Sequence, residues 1–166
     1  AGKHVFVEKP FTLDAAGARA AARACRDANV VLALGHNRRF LPAFAEMKRF
    51  VATGNLGEIL HLEGNFSGRS GLGYRPGEWR ASEAESPAGG MTAMGIHIID
   101  AFIHLAGPIA AIRCESQRKG LAVELDDTTS AFARFATGAT GCISTLTATG
   151  RMIRLRSDAT SVIRGV

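Results

Sequence analysis

"HVFVEKPF", residues 4–11, is an apolar run that ends abruptly in a charged pair and a proline. Its short unbroken apolar core reads as a strand rather than a helix. Thr12 or Asp14 can then cap a helix in "LDAAGARAAARACRDAN", residues 13–29, which is rich in strong helix formers. Next comes "VVLALGHN", residues 30–37, β-branched and apolar without alternation, the pattern of a strand covered on both faces. Strand, helix and strand in that order make a βαβ unit. Such a crossover joins parallel strands in a right-handed sense, and ligands gather at their carboxyl ends. Glu8, Lys9 and Pro10 sit at one of those ends; His36, Asn37 and Arg38 sit at the other.

The pattern changes downstream. "LPAFAEMKRFVATGNLG", residues 41–57, sets Phe44, Met47, Phe50 and Val51 at helical spacing and closes with glycines. In "EILHLEGNFSG", residues 58–68, Ile59, His61, Glu63 and Asn65 alternate with Leu60, Leu62, Gly64 and Phe66, the period of a strand. Residues 69–90, dense in Gly, Pro and Ser and without a period, form a loop of the length that commonly lines sites. "MTAMGIHIIDAFIHLAGP", residues 91–108, returns to helical spacing. "IAAIRCESQR", "DDTTSAFARFA" and "TGCISTLTAT" read as three further strands, with "TGAT" as the hairpin turn between the last two. The fold class is therefore α/β then α+β: residues 1–37 as the end of a parallel domain, and 38–166 as a second domain with an open, mostly antiparallel sheet and helices on one face.

Composition narrows the function classes. With 46% apolar and 21% charged residues, the 166-residue chain has the make-up of a folded globular protein. The formal charge of +5 does not make a nucleic-acid platform. Residues 151–166 alone carry Arg151, Arg154, Arg156 and Arg164 against Asp158, so the remainder is nearly balanced, and one Trp and one Tyr give no aromatic stripe. No apolar run approaches the roughly 20 residues of a membrane span, and the start lacks the layout of a signal peptide, so a cytoplasmic protein is expected. Cys25, Cys114 and Cys142 are odd in number and widely spaced, which suggests neither a disulfide framework nor a metal site; buried thiols are the expectation.

Three segments in this order, "EKP" after a parallel strand, "HNRRFLPAFAEMKRFVATGNLGEI" (36–59) and "GGMTAMGIHIIDAFIHLAG" (89–107), resemble the Gfo/Idh/MocA family of oxidoreductases. The resemblance covers residues 2–148. It implies a Rossmann domain for NAD or NADP followed by a substrate and oligomerisation domain, with hydride transfer to or from a sugar, polyol or related small carbonyl compound. It also implies that the family's G-x-G-x-x-G turn lies upstream of "EKP". "SGRSGLG" (67–73) and "AGG" (88–90) lack the strand-turn-helix setting of a pyrophosphate cradle. The cofactor could thus be absent from this chain alone, which is expected not to turn over by itself.

Hydride transfer needs a companion proton transfer. A lysine desolvated at a strand's carboxyl end, or beside a cationic ring, has its charged form disfavoured. The resemblance assigns that role to Lys9, and a cis Lys9–Pro10 bond would aim the side chain. It assigns His97 as the second proton donor or acceptor. Many relatives carry an aspartate four residues before this histidine; here stands Ala93, so Thr92 or the substrate must help, with Asp100 as further support. A guanidinium after the second strand can face a cofactor phosphate or a substrate oxygen. The resemblance supports Arg38 or Arg39 without choosing between them.

Glu8, Pro10, Asn37, Arg38, Trp79 and Arg80 are accordingly placed with the cofactor, and Lys9, His97, Arg39 and Thr92 with the substrate. No metal is expected. The alternative is a non-catalytic sugar-binding or oligomerisation module, favoured by Ala93. The expected partners are a small-molecule substrate and further copies of the chain through the open sheet, whose unpaired edge and uncovered face invite pairing. The family pattern runs out in residues 151–166, where further strands would be expected.

Overall fold

A computed structural model describes residues 2–150, so the reading of residues 151–166 lies outside the described residues. The chain divides into two compact units, Ala1–Asn37 and Arg38–Val166. In the first, β1 (Val5–Val7) and β2 (Leu32–Leu34) pair in parallel, with Val5 opposite Leu32, and α1 (Ala15–Asp27) connects them. Asp14 is the cap: its carboxylate accepts from Gly17 N–H at 2.7 Å, while the Thr12 hydroxyl donates to the Asp14 carbonyl. Within the described residues the second strand is not covered on both faces as its apolar run leads one to expect. Val31 and Leu34 are exposed, and Phe6 is 68% exposed. Two strands and one helix are too few elements to enclose either strand on both faces.

In the second unit α2 (Pro42–Ala52) starts on Pro42, whose missing N–H costs nothing in a first turn. β3 (His61–Asn65) follows, then the long loop with short 3-10 turns, then α3 (Ile96–Ala106), β4 (Ile109–Gln117), β5 (Thr128–Phe135) and β6 (Thr140–Leu146). Strand order is β3-β6-β5-β4, with β3 parallel to β6 and the other pairs antiparallel. The turn after β5 forms at "TGAT", where Gly138 (φ 93°) sits in the left-handed region and donates to the Phe135 carbonyl. Among the described residues no helix is long and apolar enough to cross a membrane.

The core lies between the sheet and α3, where Phe102 meets Leu62, Ala131, Ala133, Phe135 and Ile143. Each fully buried large side chain contributes about 1.5–3 kcal/mol. Glycine sets how closely α3 approaches. A methyl group at Gly64 would run into Ile98 and Phe102, and one at Gly141 would lie 3.1 Å from both the Phe102 and Phe135 rings. The alternation in β3 holds from His61 onward, with Leu62 and Gly64 inward. It slips before the strand begins, so that Ile59 packs on the core and Leu60 is exposed.

Two further readings change. The segment 91–108 is not one regular helix: Met91–Gly95 is a π-turn that leads into α3, and Gly107 (φ 87°) ends it. The cysteines are free but not buried; Cys114 and Cys142 are exposed and Cys25 half-buried. Cys142 lies opposite Phe132 and Glu63, on the face of the sheet that no helix among the described residues covers.

The loop between β4 and β5 is gathered by one side chain. Asp127, 3% exposed, accepts through Oδ2 from the N–H groups of Gly120 (2.5 Å), Lys119 (2.7 Å) and Leu121 (3.2 Å). Its Oδ1 accepts from the Thr128 hydroxyl, and its carbonyl accepts from Thr147 N–H at the end of β6. Burial pushes this carboxyl up. The Gly120 and Lys119 N–H groups, the Thr128 hydroxyl and the Leu121 N–H outweigh it and hold the group below the usual carboxylate range.

Candidate functional site

In the first unit the parallel register brings two turns side by side. Gly35 N–H donates to the Val7 carbonyl at 2.8 Å, so "EKP" and "GHN" leave adjacent strand ends. Gly35 is buried because the Glu8 carboxylate lies against it: a methyl group there would meet Glu8 Oε2 at 2.9 Å. The Lys9–Pro10 bond is cis, as expected of this turn. Lys9 is half-buried, and Asn37 is exposed at the start of the 3-10 turn Asn37–Phe40.

In the second unit the neighbouring arginines diverge. Arg39 is committed to Asp100 in a bidentate pair, Nε to Oδ2 at 2.8 Å and Nη2 to Oδ1 at 2.5 Å. Its Nη1 approaches His104 Nδ1 at 3.5 Å, and Lys48 Nζ donates to the His104 carbonyl at 2.6 Å, capping the end of α3 from α2. Burial first, and then the Arg39 and Lys48 charges, push the His104 imidazole below its ordinary value, with Asp100 opposing. Arg39 and Asp100 thus tie the segment before α2 to α3.

Arg38 turns to a different wall. Its guanidinium lies over the Phe66 ring, 4.5 Å from the centroid, and His97 also neighbours that ring, with centroids 6.0 Å apart and planes inclined by 40°. Arg38, Phe66 and His97 line one cavity of about 360 Å³, with Phe44 and Met47 of α2 and Phe102 of α3 among its walls. His97 is placed there by the fold: Ile98, beside it, packs on Gly64, and Phe66 continues β3 by donating to the Ser144 carbonyl.

Of the assigned residues, Thr92 is occupied otherwise, and Trp79 and Arg80 stand outside this cavity. The Thr92 hydroxyl donates to the Pro87 carbonyl, so its one proton is spent on the loop rather than on His97. Ala93 lies within the π-turn Met91–Gly95 that leads into α3, on which His97 stands. The Arg80 guanidinium stacks on its neighbour Trp79 at 4.3 Å; Trp79 is 53% exposed, and neither residue lines the cavity. The glycines of the loop also have steric reasons. A methyl group at Gly71 would come within 2.8 Å of Thr147 Oγ1 and one at Gly90 within 2.7 Å of Thr147 Cγ2, so both pack on the end of β6.

Phe66 is the residue that sequence reasoning missed. Alternation marked it only as one of an apolar strand face, and no local signal indicates that an arginine and a histidine converge on its ring.

A larger space lies elsewhere in the second unit. About 850 Å³ opens over the uncovered sheet face, bordered by Glu63, Arg113, Phe132 and Cys142. It is a broad surface without a convergent set of proton-transfer groups, and the smaller cavity is the candidate for chemistry.

Comparison with known proteins follows the same division. The family described as "Oxidoreductase family, NAD-binding Rossmann fold" matches residues 1–36, and the GFO/IDH/MocA C-terminal domain matches residues 44–159. The chain is 34% identical to a Bacillus subtilis scyllo-inositol 2-dehydrogenase (NADP(+)) over 115 residues, 68% of this chain and 30% of that protein. It is 30% identical to the levoglucosan dehydrogenase of Pseudarthrobacter phenanthrenivorans over 113 residues, 68% of this chain and 29% of that protein. The structure superposes on a levoglucosan dehydrogenase solved with NADH at a TM-score of 0.81 and 27% identity, covering 89% of this chain and 42% of the other. The chain therefore spans about a third of the length of the curated relatives it matches.

Proposed function

Because the chain belongs to the GFO/IDH/MocA oxidoreductase family, we propose that it is part of an NAD(P)-dependent dehydrogenase that interconverts an alcohol and a carbonyl group on a sugar, polyol or related small molecule. The observation that carries this reading is the order of parts in one chain: Lys9 at the carboxyl end of a parallel strand within the Rossmann match, then His97 in a cavity within the C-terminal match.

The residues present fit the reactive end of a dinucleotide and not its phosphates. Glu8, Lys9, Pro10 and Asn37 gather at the two strand ends, with Gly35 leaving the Glu8 carboxylate its place. No glycine-rich strand-to-helix turn occurs among the described residues. The complete polypeptide is accordingly the form to assay. The nicotinamide group, when bound, accepts or supplies the hydride. An alcohol that gives up a hydride must also lose its hydroxyl proton, and Lys9 Nζ in its neutral form accepts it, returning it in the reverse direction. His97 holds substrate oxygens in the second unit, and the apolar walls of its cavity exclude water.

Purified complete polypeptide should reduce NAD or NADP with at least one of levoglucosan and scyllo-inositol, followed by the absorbance of reduced nicotinamide. Absence of turnover across a panel of polyols, sugars and sugar acids would count against the enzyme. Ala93, in place of the carboxylate many relatives carry, is the observation that favours a non-catalytic binding module instead.

Self-association through the open sheet belongs to the same reading. Registers set Glu63, Cys142, Phe132 and Arg113 in one row across β3, β6, β5 and β4. A two-fold axis parallel to the strands, between β5 and β6, reverses that row and sets Glu63 against the Arg113 of a second copy. Glu63→Arg and Arg113→Glu should each weaken the dimer by about tenfold or more, and the double exchange should restore it. Sedimentation equilibrium checks this; a monomeric wild-type protein would refute it.

A further inference from the structure

Resting on the enzyme reading, and narrowing its substrate, we infer that the His97 cavity takes a small polyhydroxy compound bearing a carboxylate, which Arg38 binds. The contrast between adjacent arginines carries the argument. Arg39 has both carboxylate oxygens of Asp100. Arg38 has an aromatic face and, among the described residues, no paired carboxylate. A guanidinium stacked on a ring has its flat face occupied, so its N–H edge is what it can offer a ligand, and that edge matches the two oxygens of an oxyanion. Phe66 fixes the plane, which lowers the cost of ordering the side chain on binding.

Glu63 also borders this cavity, but its side chain is 81% exposed at the rim and lies 3.8 Å from His61, so solvent screens it. The oxyanion could belong to a substrate or to a dinucleotide phosphate. A cavity of about 360 Å³ is at the small end of ligand sites, suited to a monosaccharide-sized molecule rather than a dinucleotide. Its walls pair apolar Phe44, Met47 and Phe102 with His97, a lining for one face of a sugar ring rather than for a phosphate chain.

The test compares D-glucuronate with neutral D-glucose on the complete polypeptide, read by saturation-transfer NMR and, where turnover occurs, by kcat/KM. Glucuronate should bind at least tenfold more tightly. Arg38→Gln should reduce that preference by about 10- to 100-fold through KM rather than kcat, the range of charged hydrogen bonds. Arg38→Lys, which keeps the charge and loses the fork, should fall between and guards against a folding defect in Arg38→Gln. Equal binding of the two sugars overturns the inference. So does an Arg38→Gln variant that weakens NADP(H) and leaves glucuronate unchanged, because the oxyanion then belongs to the cofactor. Arg38-dependent glucuronate binding without turnover supports this inference, and the enzyme reading is then decided by the wider panel of polyols, sugars and sugar acids.

Discussion

Lys9→Met in the complete polypeptide lowers kcat by about 10²–10⁴, the span attributed to a positioned general acid or base, and leaves the affinity for NAD(P)H within a few-fold. The position supports this size of effect. Lys9 follows the short parallel strand β1 by two residues and lies half-buried, between Glu8, whose carboxylate rests on Gly35, and Pro10. Methionine keeps the length and apolar stem and removes only the amine, so a loss of turnover with an unchanged circular dichroism spectrum belongs to chemistry. Lys9→Arg retains a charge but cannot release its proton near neutral pH, and it should rescue little. Rate constants from stopped-flow hydride transfer separate this from slow product release. Unaltered turnover would remove Lys9 from the mechanism, and unaltered ligand binding in a protein that never turns over would favour the module.

Asp127→Ala is the second large effect, and it falls on folding. Three backbone N–H groups and a hydroxyl lose their acceptor at once. Water can reach the exposed Lys119 and Gly120, so the cost is about 2–4 kcal/mol rather than the full sum of unsatisfied groups. That is a large part of a domain's stability of about 5–15 kcal/mol. Asp127→Asn keeps an acceptor oxygen and should recover part of it. The carboxyl is held below its ordinary range in the folded state, so its stabilisation is present above the unfolded value of about 4 and is lost as pH falls through the folded one. Urea titrations below pH 5 should show this acid-sensitive component in wild type and its absence in Asp127→Asn. Equal acid dependence in both would show that other carboxylates dominate.

Much of the frame was legible before any coordinate. Apolar runs, helix formers and glycines located β1, α1, β2, α2 and the three final strands, because these signals are local in sequence. Where neighbours decide, local signals failed. "VVLALGHN" reads as a doubly covered strand, yet coverage depends on how many other elements surround it. Cys142 reads as buried within "TGCIST", yet strand alternation does not say which face the helices take. The π-turn at Met91–Gly95 was invisible because Met, Thr and Ala at helical spacing fit either hydrogen-bond register.

The sequence by itself determined the βαβ start, the position of Lys9 at a strand's carboxyl end and the family, since these rest on order and spacing along one chain. Only the tertiary structure decided what each arginine does. Arg38 and Arg39 are chemically identical neighbours, and a strand preference or a motif treats them alike. Their roles separate because successive residues of a tight turn point in different directions, one toward Asp100 on α3 and the other onto the ring of Phe66 beside His97.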